Sequence, residues 1–147
     1  MEDEKTVKNV EKQKLECSLC LEKKPLERFA IRTDHKRQIR RRDCMDCVNK
    51  RTRKKWRDLR NEIFDHYGWN CKCCGETLRE FLSLDHINND GYLDKNPNGD
   101  KKSGKELYLL VKRLGFPATF QTLCMNCNWG KKIGKGICPH KKYEKNC

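Results

Sequence analysis

The chain is poor in the residues that build a large hydrophobic core. Only 35% of its 147 residues are hydrophobic, whereas 37% are charged. This length suits one ordinary domain or two small ones, and a unit of fewer than about 70 residues rarely has a core that is sufficient alone. We therefore expect disulfides or metal ions to provide much of the stability.

The sequence also lacks a long apolar run. Residues 1–10 are acidic and lysine-rich, so we expect neither a signal peptide nor a membrane span, and we predict a protein of the reducing cytoplasm. Residues 1–14 have no hydrophobic period, and we interpret them as a disordered lead-in. Without an apolar segment, association with a membrane is not expected.

Eleven cysteines are the most unusual feature of the composition. Eight of them form four C-x-x-C pairs, which are Cys17 with Cys20, Cys44 with Cys47, Cys71 with Cys74, and Cys124 with Cys127. In a reducing compartment such pairs are typical of zinc sites, and an odd number of cysteines leaves at least one thiol outside any disulfide framework. We predict two structural zinc ions, each bound by two pairs; a disulfide framework is the alternative.

The spacing of these pairs predicts two modules. The first two pairs enclose a segment long enough for a short hairpin, which predicts a zinc ribbon over 15–50 with Leu26, Phe29 and Ile31 covering the metal. The second two pairs define a further module over 67–137. A surface loop is expected over 94–104, and a basic tail over 138–147.

Two helices are predicted from apolar spacing. No Gly or Pro interrupts residues 48–67, which predicts a basic linker helix over 51–66 that ends at Gly68. Its apolar face comprises Trp56, Leu59, Ile63 and Phe64. A second, short helix is expected over 106–114, with Leu107, Leu110, Val111 and Leu114 as its apolar face.

The net charge of +13 and a pI near 9.3 indicate a polyanionic partner. The charge is concentrated between Lys36 and Arg60, whereas a merely soluble basic protein would not need such clustering. The residues we expect to contact nucleic acid are Arg51, Arg53, Lys54, Lys55 and Arg57, joined by Lys131 and Lys132. Such a surface binds phosphates, and its affinity falls steeply with salt.

An Asp-His pair lies between the last two cysteine pairs. An apolar run over 81–84 leads into Asp85 and His86, and Asn128 directly follows Cys127. Carboxylate and amide oxygens suit Mg²⁺ or Mn²⁺ better than zinc, and a neighbouring imidazole can serve as a base. The simpler interpretation is that Asp85 caps a turn and His86 is an ordinary surface histidine.

These residues resemble a known enzyme family. The motifs are Cys71-x-x-Cys74-Gly75, Leu84-Asp85-His86, and Leu123-Cys124-x-x-Cys127-Asn128 with Lys131, and they are similar to the zinc-bound branch of the HNH endonucleases over residues 67–137. The resemblance implies an α+β fold, a ββα-metal finger in which a zinc-braced β-hairpin precedes a helix. It further implies that His86 is the general base, that Asp85 and Asn128 hold Mg²⁺ or Mn²⁺, and that DNA is cut to give 5′ phosphates.

One position departs from the family pattern. Thr119 stands where the family has an Asn that braces the loop carrying the base, and a hydroxyl lacks the paired donor and acceptor of an amide. The order of modules also resembles small HNH proteins of bacteriophages, which implies the cytoplasm of a host cell. We expect DNA rather than RNA as partner, and a monomer or weak dimer.

Two other function classes compete with a nuclease. A zinc-ribbon DNA-binding or regulatory protein needs the same charge and cysteines, but has no use for the Asp-His pair. Zinc nucleobase deaminases require His-x-Glu, which none of the four histidines forms.

The remaining cysteines and histidines have open roles. Cys138, His140 and Cys147, with help from Cys73, form either a further metal site or a basic tail with stray thiols. On its own, Cys73 reads as a spare thiol that points away from the zinc bound by Cys71 and Cys74. His35 and His66 have no metal-like neighbours, so we expect surface or packing roles.

Overall fold

The structure, a computed structural model, describes residues 13–34 and 37–143. The predicted lead-in falls almost wholly outside these residues, as do His35, Lys36 and Cys147. The described part is a small mixed α and β structure with short antiparallel sheets, and the chain divides into two compact units, 1–55 and 56–147. None of the described helices has the length and apolar character needed to cross a membrane.

The first unit consists of two β-hairpins followed by the start of a helix. Strands β1 (Lys14–Glu16) and β2 (Lys23–Pro25) pair antiparallel, as do β3 (Ile31–Asp34) and β4 (Arg37–Arg40), before helix α1 (Met45–Tyr67) begins. The small core contains Phe29, Cys17 and Cys44, with Leu26 half-buried. Ile31 was predicted to cover the metal but is 51% exposed, because the described side chains of β3 face solvent.

The second unit is built around one hairpin and the helix that follows it. After the second half of α1 come β5 (Leu82–His86), α2 (Lys105–Arg113), β6 (Phe120–Cys124), α3 (Met125–Ile133) and α4 (Pro139–Tyr143). β5 and β6 pair antiparallel, from Leu82 opposite Cys124 to His86 opposite Phe120. α3 begins at the residue after β6, whereas α2 and its flanking loops separate β6 from β5 in the chain.

The two predicted helices are present. α1 begins at Met45, and its buried residues in the second unit are Leu59, Ile63 and Phe64, with Trp56 half-buried. The helix ends at Tyr67, directly before the stop predicted at Gly68, whose φ of +96° favours a residue without a side chain.

The predicted apolar face of α2 is only partly buried. Leu107 and Val111 lie in the core, while Leu114, one residue past the helix, is 58% exposed. His66 has a packing role, because its ring stacks on Phe116 at a centroid distance of 4.7 Å.

Candidate metal centres and active site

The first cysteine cluster has the dimensions of a tetrahedral zinc site. The sulfur atoms of Cys17, Cys20, Cys44 and Cys47 all lie within 4.8 Å of one another, and Cys17 and Cys47 are 3.9 Å apart. A zinc ion with Zn–S bonds of about 2.3 Å requires sulfur–sulfur distances of about 3.8 Å. This cluster can therefore hold a structural zinc ion.

Backbone amides prepare this cluster for a cation. The N–H of Cys44 donates to the Cys17 sulfur at 3.2 Å and, with the amides of Cys20 and Leu19, lowers the pKa of the Cys17 thiol to about 6. The thiol of Cys44 and burial raise the pKa of Cys47 to about 12. Deprotonation of Cys17 is thus favoured, whereas deprotonation of Cys47 is disfavoured. A divalent cation bound among the sulfur atoms would stabilise both thiolates.

The second cluster joins the start of the second unit to α3. Cys71 and Cys74 lie in a turn before β5, Cys124 ends β6, and Cys127 lies in the first turn of α3. The sulfur atoms of Cys74 and Cys124 are 3.7 Å apart, again close to a tetrahedral edge. This cluster can therefore also hold structural zinc.

Amides and a glycine shape the second cluster. Burial raises the pKa of the Cys71 thiol, but the backbone amides of Cys74, Cys124 and Cys73 outweigh it and bring the pKa down to about 7. Gly75 closes the turn with a φ of +78°, and its N–H donates to the Cys71 carbonyl oxygen at 3.0 Å.

A third group of ligands adjoins the second cluster. The sulfur atoms of Cys73, Cys127 and Cys138 and the Nδ1 of His140 lie within 4.8 Å of one another. Cys73, which we predicted to be a spare thiol, is therefore placed among possible ligands. The ten cysteines of the described residues are all free thiols, so no disulfide framework forms among them.

His86 lies at the end of β5 with its ring fixed on two sides. Its Nε2 is 2.8 Å from Oδ2 of Asp94, and its ring centroid lies 4.5 Å from that of Phe120. A carboxylate accepts a hydrogen bond only, so Nε2 carries a proton, and whenever the ring is neutral Nδ1 is the unprotonated nitrogen. Sequence reasoning missed Asp94, whose only signal is an acidic residue in the polar loop eight positions after the histidine.

Gly91 approaches that nitrogen too closely for any residue other than glycine. A side-chain carbon at position 91 would lie 2.8 Å from Nδ1 of His86 and 2.9 Å from its Cε1. Contacts this short are not tolerated by real side chains, so any larger residue would push the ring out of place. The close approach of Gly91 therefore helps to fix the position of the imidazole.

The carboxylate of Asp85 is buried and already compensated. Its Oδ2 accepts hydrogen bonds from Nζ of Lys131 at 2.7 Å and Nε2 of Gln121 at 2.8 Å. Lys131 also donates to the carbonyl oxygens of His86, at 2.6 Å, and Ile87, at 3.0 Å. An ammonium group has three N–H donors, and all three are used here.

This arrangement corrects the predicted role of Lys131. The residue is only 6% exposed, so it is neither a phosphate contact nor a solvated lysine. The reason is geometric, because the long side chain reaches from α3 to the end of β5 and ties the two elements together. Lys132, the other lysine predicted on this helix, is exposed, and its Nζ lies 4.8 Å from the ring centroid of Trp129.

The predicted magnesium ligands do not form a ready-made cation site. Nδ2 of Asn128 donates to Oγ of Ser83 at 3.0 Å, while Asp85 is paired with Lys131. A divalent ion at Asp85 would have to compete with an ammonium held by three acceptors. Binding of Mg²⁺ or Mn²⁺ by Asp85 and Asn128 stays a prediction that these contacts do not favour.

Thr119 braces the loop after His86 through its main chain. Its carbonyl oxygen accepts a hydrogen bond from the N–H of Ile87 at 2.9 Å, while the residue itself is exposed. Any residue type offers that carbonyl, so the departure from the family's Asn does not remove this contact.

The basic residues divide into a structural and an exposed set. Arg60 donates to the carbonyl oxygens of Arg79 and Leu82, and in the first unit Arg40 donates to those of Leu26 and Phe29. The residues of α1 predicted to contact nucleic acid are all exposed, and Lys50 is exposed beside them: Arg51, Arg53, Lys54, Lys55 and Arg57. Arg51 also pairs with Asp43, with Nη2 and Oδ2 3.1 Å apart. Part of the charge between Lys36 and Arg60 is therefore used in contacts within the protein.

Comparison with protein-family models, curated proteins and solved structures found no match to this chain.

Proposed function

We propose that this protein is a zinc-supported HNH-type endonuclease that hydrolyses DNA phosphodiester bonds, with His86 as the general base. The observation that carries the proposal is the pair formed by His86 and Asp94, whose Nε2 and Oδ2 atoms are 2.8 Å apart. His86 lies at the end of β5, which pairs with β6, and β6 leads directly into α3. A cysteine cluster joins the same hairpin and helix, as expected for a zinc-braced ββα finger.

The proposed reaction needs a base that faces water and a phosphodiester. Asp94 accepts a hydrogen bond from Nε2–H of His86, so that Nδ1 of the neutral ring is the nitrogen that acts as the base. Nδ1 takes a proton from water, the resulting hydroxide attacks phosphorus, and the bond from phosphorus to the 3′ oxygen breaks. The leaving 3′ oxygen takes a proton from solvent, which gives a 3′ hydroxyl and a 5′ phosphate, and the protonated ring then releases its extra proton to solvent.

We assign no step to a divalent ion, because Asp85 is compensated by Lys131. Whether added Mg²⁺ or Mn²⁺ changes the rate of DNA cleavage is to be measured in zinc-loaded protein.

A second candidate function is binding of DNA without cleavage. The observation in its favour is the buried ion pair between Asp85 and Lys131, since these side chains are 7% and 8% exposed and satisfy each other without a metal. The exposed basic residues of α1 serve either function equally. The two candidates therefore differ only in whether the His86 ring acts on a substrate.

Asp94→Asn tests the arrangement on which the nuclease proposal rests. Loss of the carboxylate leaves the imidazole without its orienting charge, so we expect kcat for nicking of supercoiled plasmid to fall at least about tenfold with KM unchanged. The measurement is the rate in Mg²⁺ and in Mn²⁺, with end-labelling to identify 5′ phosphates. Asp100→Asn, in the same loop and exposed, is the matched control and should cut at the parent rate. Equal rates for Asp94→Asn and the parent would remove Asp94 from the mechanism.

DNA affinity is expected to depend on the exposed arginines of α1. Arg53→Gln combined with Arg57→Gln removes two phosphate contacts, which lowers the slope of log affinity against log salt by about 2. The measurement is fluorescence anisotropy with labelled duplexes of unrelated sequence, all of which should weaken alike. Lys14→Gln with Lys23→Gln makes the same change of charge at exposed positions of the first hairpin and should leave the slope unchanged. If the slope instead falls in the variant of the first hairpin and not in the variant of α1, the hairpin is the element that contacts DNA.

A further inference from the structure

Cys127 belongs to two ligand groups at once. It is the fourth sulfur of the cluster with Cys71, Cys74 and Cys124. It is also a member of the group containing Cys73, Cys138 and His140. Within each group every potential ligand atom lies within 4.8 Å of every other, so the Cys127 sulfur lies at the junction of two candidate metal positions.

The second of these groups has the dimensions of a zinc site with three sulfurs and one nitrogen. Nδ1 of His140 lies 3.3 Å from the sulfur of Cys127, 3.6 Å from that of Cys138 and 4.0 Å from that of Cys73. A tetrahedral ion with Zn–S bonds of about 2.3 Å and a Zn–N bond of about 2.05 Å requires sulfur–nitrogen distances of about 3.6 Å. The observed distances bracket that value.

The fold brings the third group together through a reversal of the chain after α3. Hydrogen bonds from the N–H of Gly134 to the Gly130 carbonyl, at 2.8 Å, and from that of Gly136 to the Lys131 carbonyl, at 2.9 Å, shape the turn. A side chain at Gly130 would meet Pro139 at 3.0 Å and the Cys138 sulfur at 3.6 Å. The absence of a side chain there lets the segment carrying Cys138 pack against α3, where Cys138 is only 6% exposed.

We propose that the second unit binds two zinc ions bridged by the thiolate of Cys127. One ion is held by Cys71, Cys74, Cys124 and Cys127, and the other by Cys73, Cys127, Cys138 and His140. Two tetrahedral ions need eight ligand positions, and the seven side chains fill them only if one is shared. Cys127 is the member common to both groups.

The bridge has a consequence for α3. Cys127 precedes Asn128 and lies in the same helix as Lys131, so the second ion fastens the segment over 138–140 to the helix that supports Asp85. This assignment does not depend on cleavage of DNA. A zinc-held binding protein would contain the same pair of ions.

Zinc stoichiometry of the full chain is the first test. Native mass spectrometry and metal analysis of reduced protein should find three zinc ions per chain, one in the first unit and two in the second. Two ions would overturn the proposal. Cys138→Ser should lose one zinc to a competing chelator while two remain, whereas Cys147→Ser should keep all three, because the proposed ligand sets are complete without it. If Cys147→Ser also loses a zinc, Cys147 is a ligand, the two ions do not need to share Cys127, and the proposal is overturned.

The bridge itself is tested by ¹¹³Cd NMR on the parent protein, which requires no variant to fold. Cadmium replaces zinc at thiolate sites, and two cadmium ions that share a sulfur show scalar coupling to each other. We expect three resonances, two of which are coupled and one of which is not. Three uncoupled resonances would show separate ions and would overturn the sharing of Cys127.

Discussion

His86→Ala should lower the rate of plasmid cleavage by about 10² to 10⁴-fold, the usual cost of losing a general base. The imidazole contributes to neither cysteine cluster, and its hydrogen bond is to Asp94 in a surface loop. Zinc content, the far-ultraviolet circular dichroism spectrum and DNA affinity should therefore stay at the parent values. The rate is measured on supercoiled plasmid in zinc-loaded protein with Mg²⁺ or Mn²⁺ added.

His66→Ala is the matched control. His66 is exposed in the same unit, and the aromatic rings that its own ring contacts are those of Tyr67 and Phe116. It should cut like the parent. A His86→Ala variant as active as the parent would refute the assignment of the base. The second candidate, DNA binding without cleavage, would be favoured if the parent protein binds DNA but fails to cut it whichever divalent ion is added.

Removal of zinc should unfold both units. Structural zinc contributes on the order of 10 kcal/mol to small cysteine-held domains, which is comparable to the whole stability of an ordinary domain of about 5–15 kcal/mol. The core of the first unit is mainly Phe29 with the buried cysteines Cys17 and Cys44, so little apolar packing would remain there. The measurement is loss of dispersed amide signals in NMR spectra during titration with a chelator, followed by their return on addition of zinc.

The control for this experiment is the same chelator saturated with zinc beforehand, which should change nothing. Cys124→Ser should resemble the chelated protein in its second unit, since Cys124 joins β6 to the second cluster. Dispersed signals that persist in protein containing less than one zinc per chain would show that packing alone holds the fold.

The elements that sequence reasoning predicted correctly depend on short spacings. A C-x-x-C pair is local, so the grouping of Cys17 with Cys20 and of Cys71 with Cys74 follows from the chain itself. The same holds for α1, where no Gly or Pro interrupts an apolar face, and for Gly68 at its end. The strand that carries Asp85 and His86 was also expected, although both residues lie in β5 rather than beyond it.

The features that were missed depend on contacts between distant segments. A lysine after Asn128 reads as solvent-exposed, and only the packing of α3 against β5 shows that Lys131 is buried on Asp85. Asp94 reaches His86 through a loop whose path has no sequence signature. Cys127 could not be assigned to two groups until the chain reversal after α3 placed Cys138 and His140 beside it.

The short distances between sulfur atoms also make the cysteine clusters sensitive to oxidation by air. Cys17 lies 3.9 Å from Cys47, and Cys74 lies 3.7 Å from Cys124, so departure of a metal leaves pairs of thiols almost in contact. Oxidation would then need only a small movement of side chains, and the resulting disulfides would join cysteines that already lie side by side in the clusters. Metal loss and oxidation thus reinforce each other, and restoring such a protein requires a reductant before zinc.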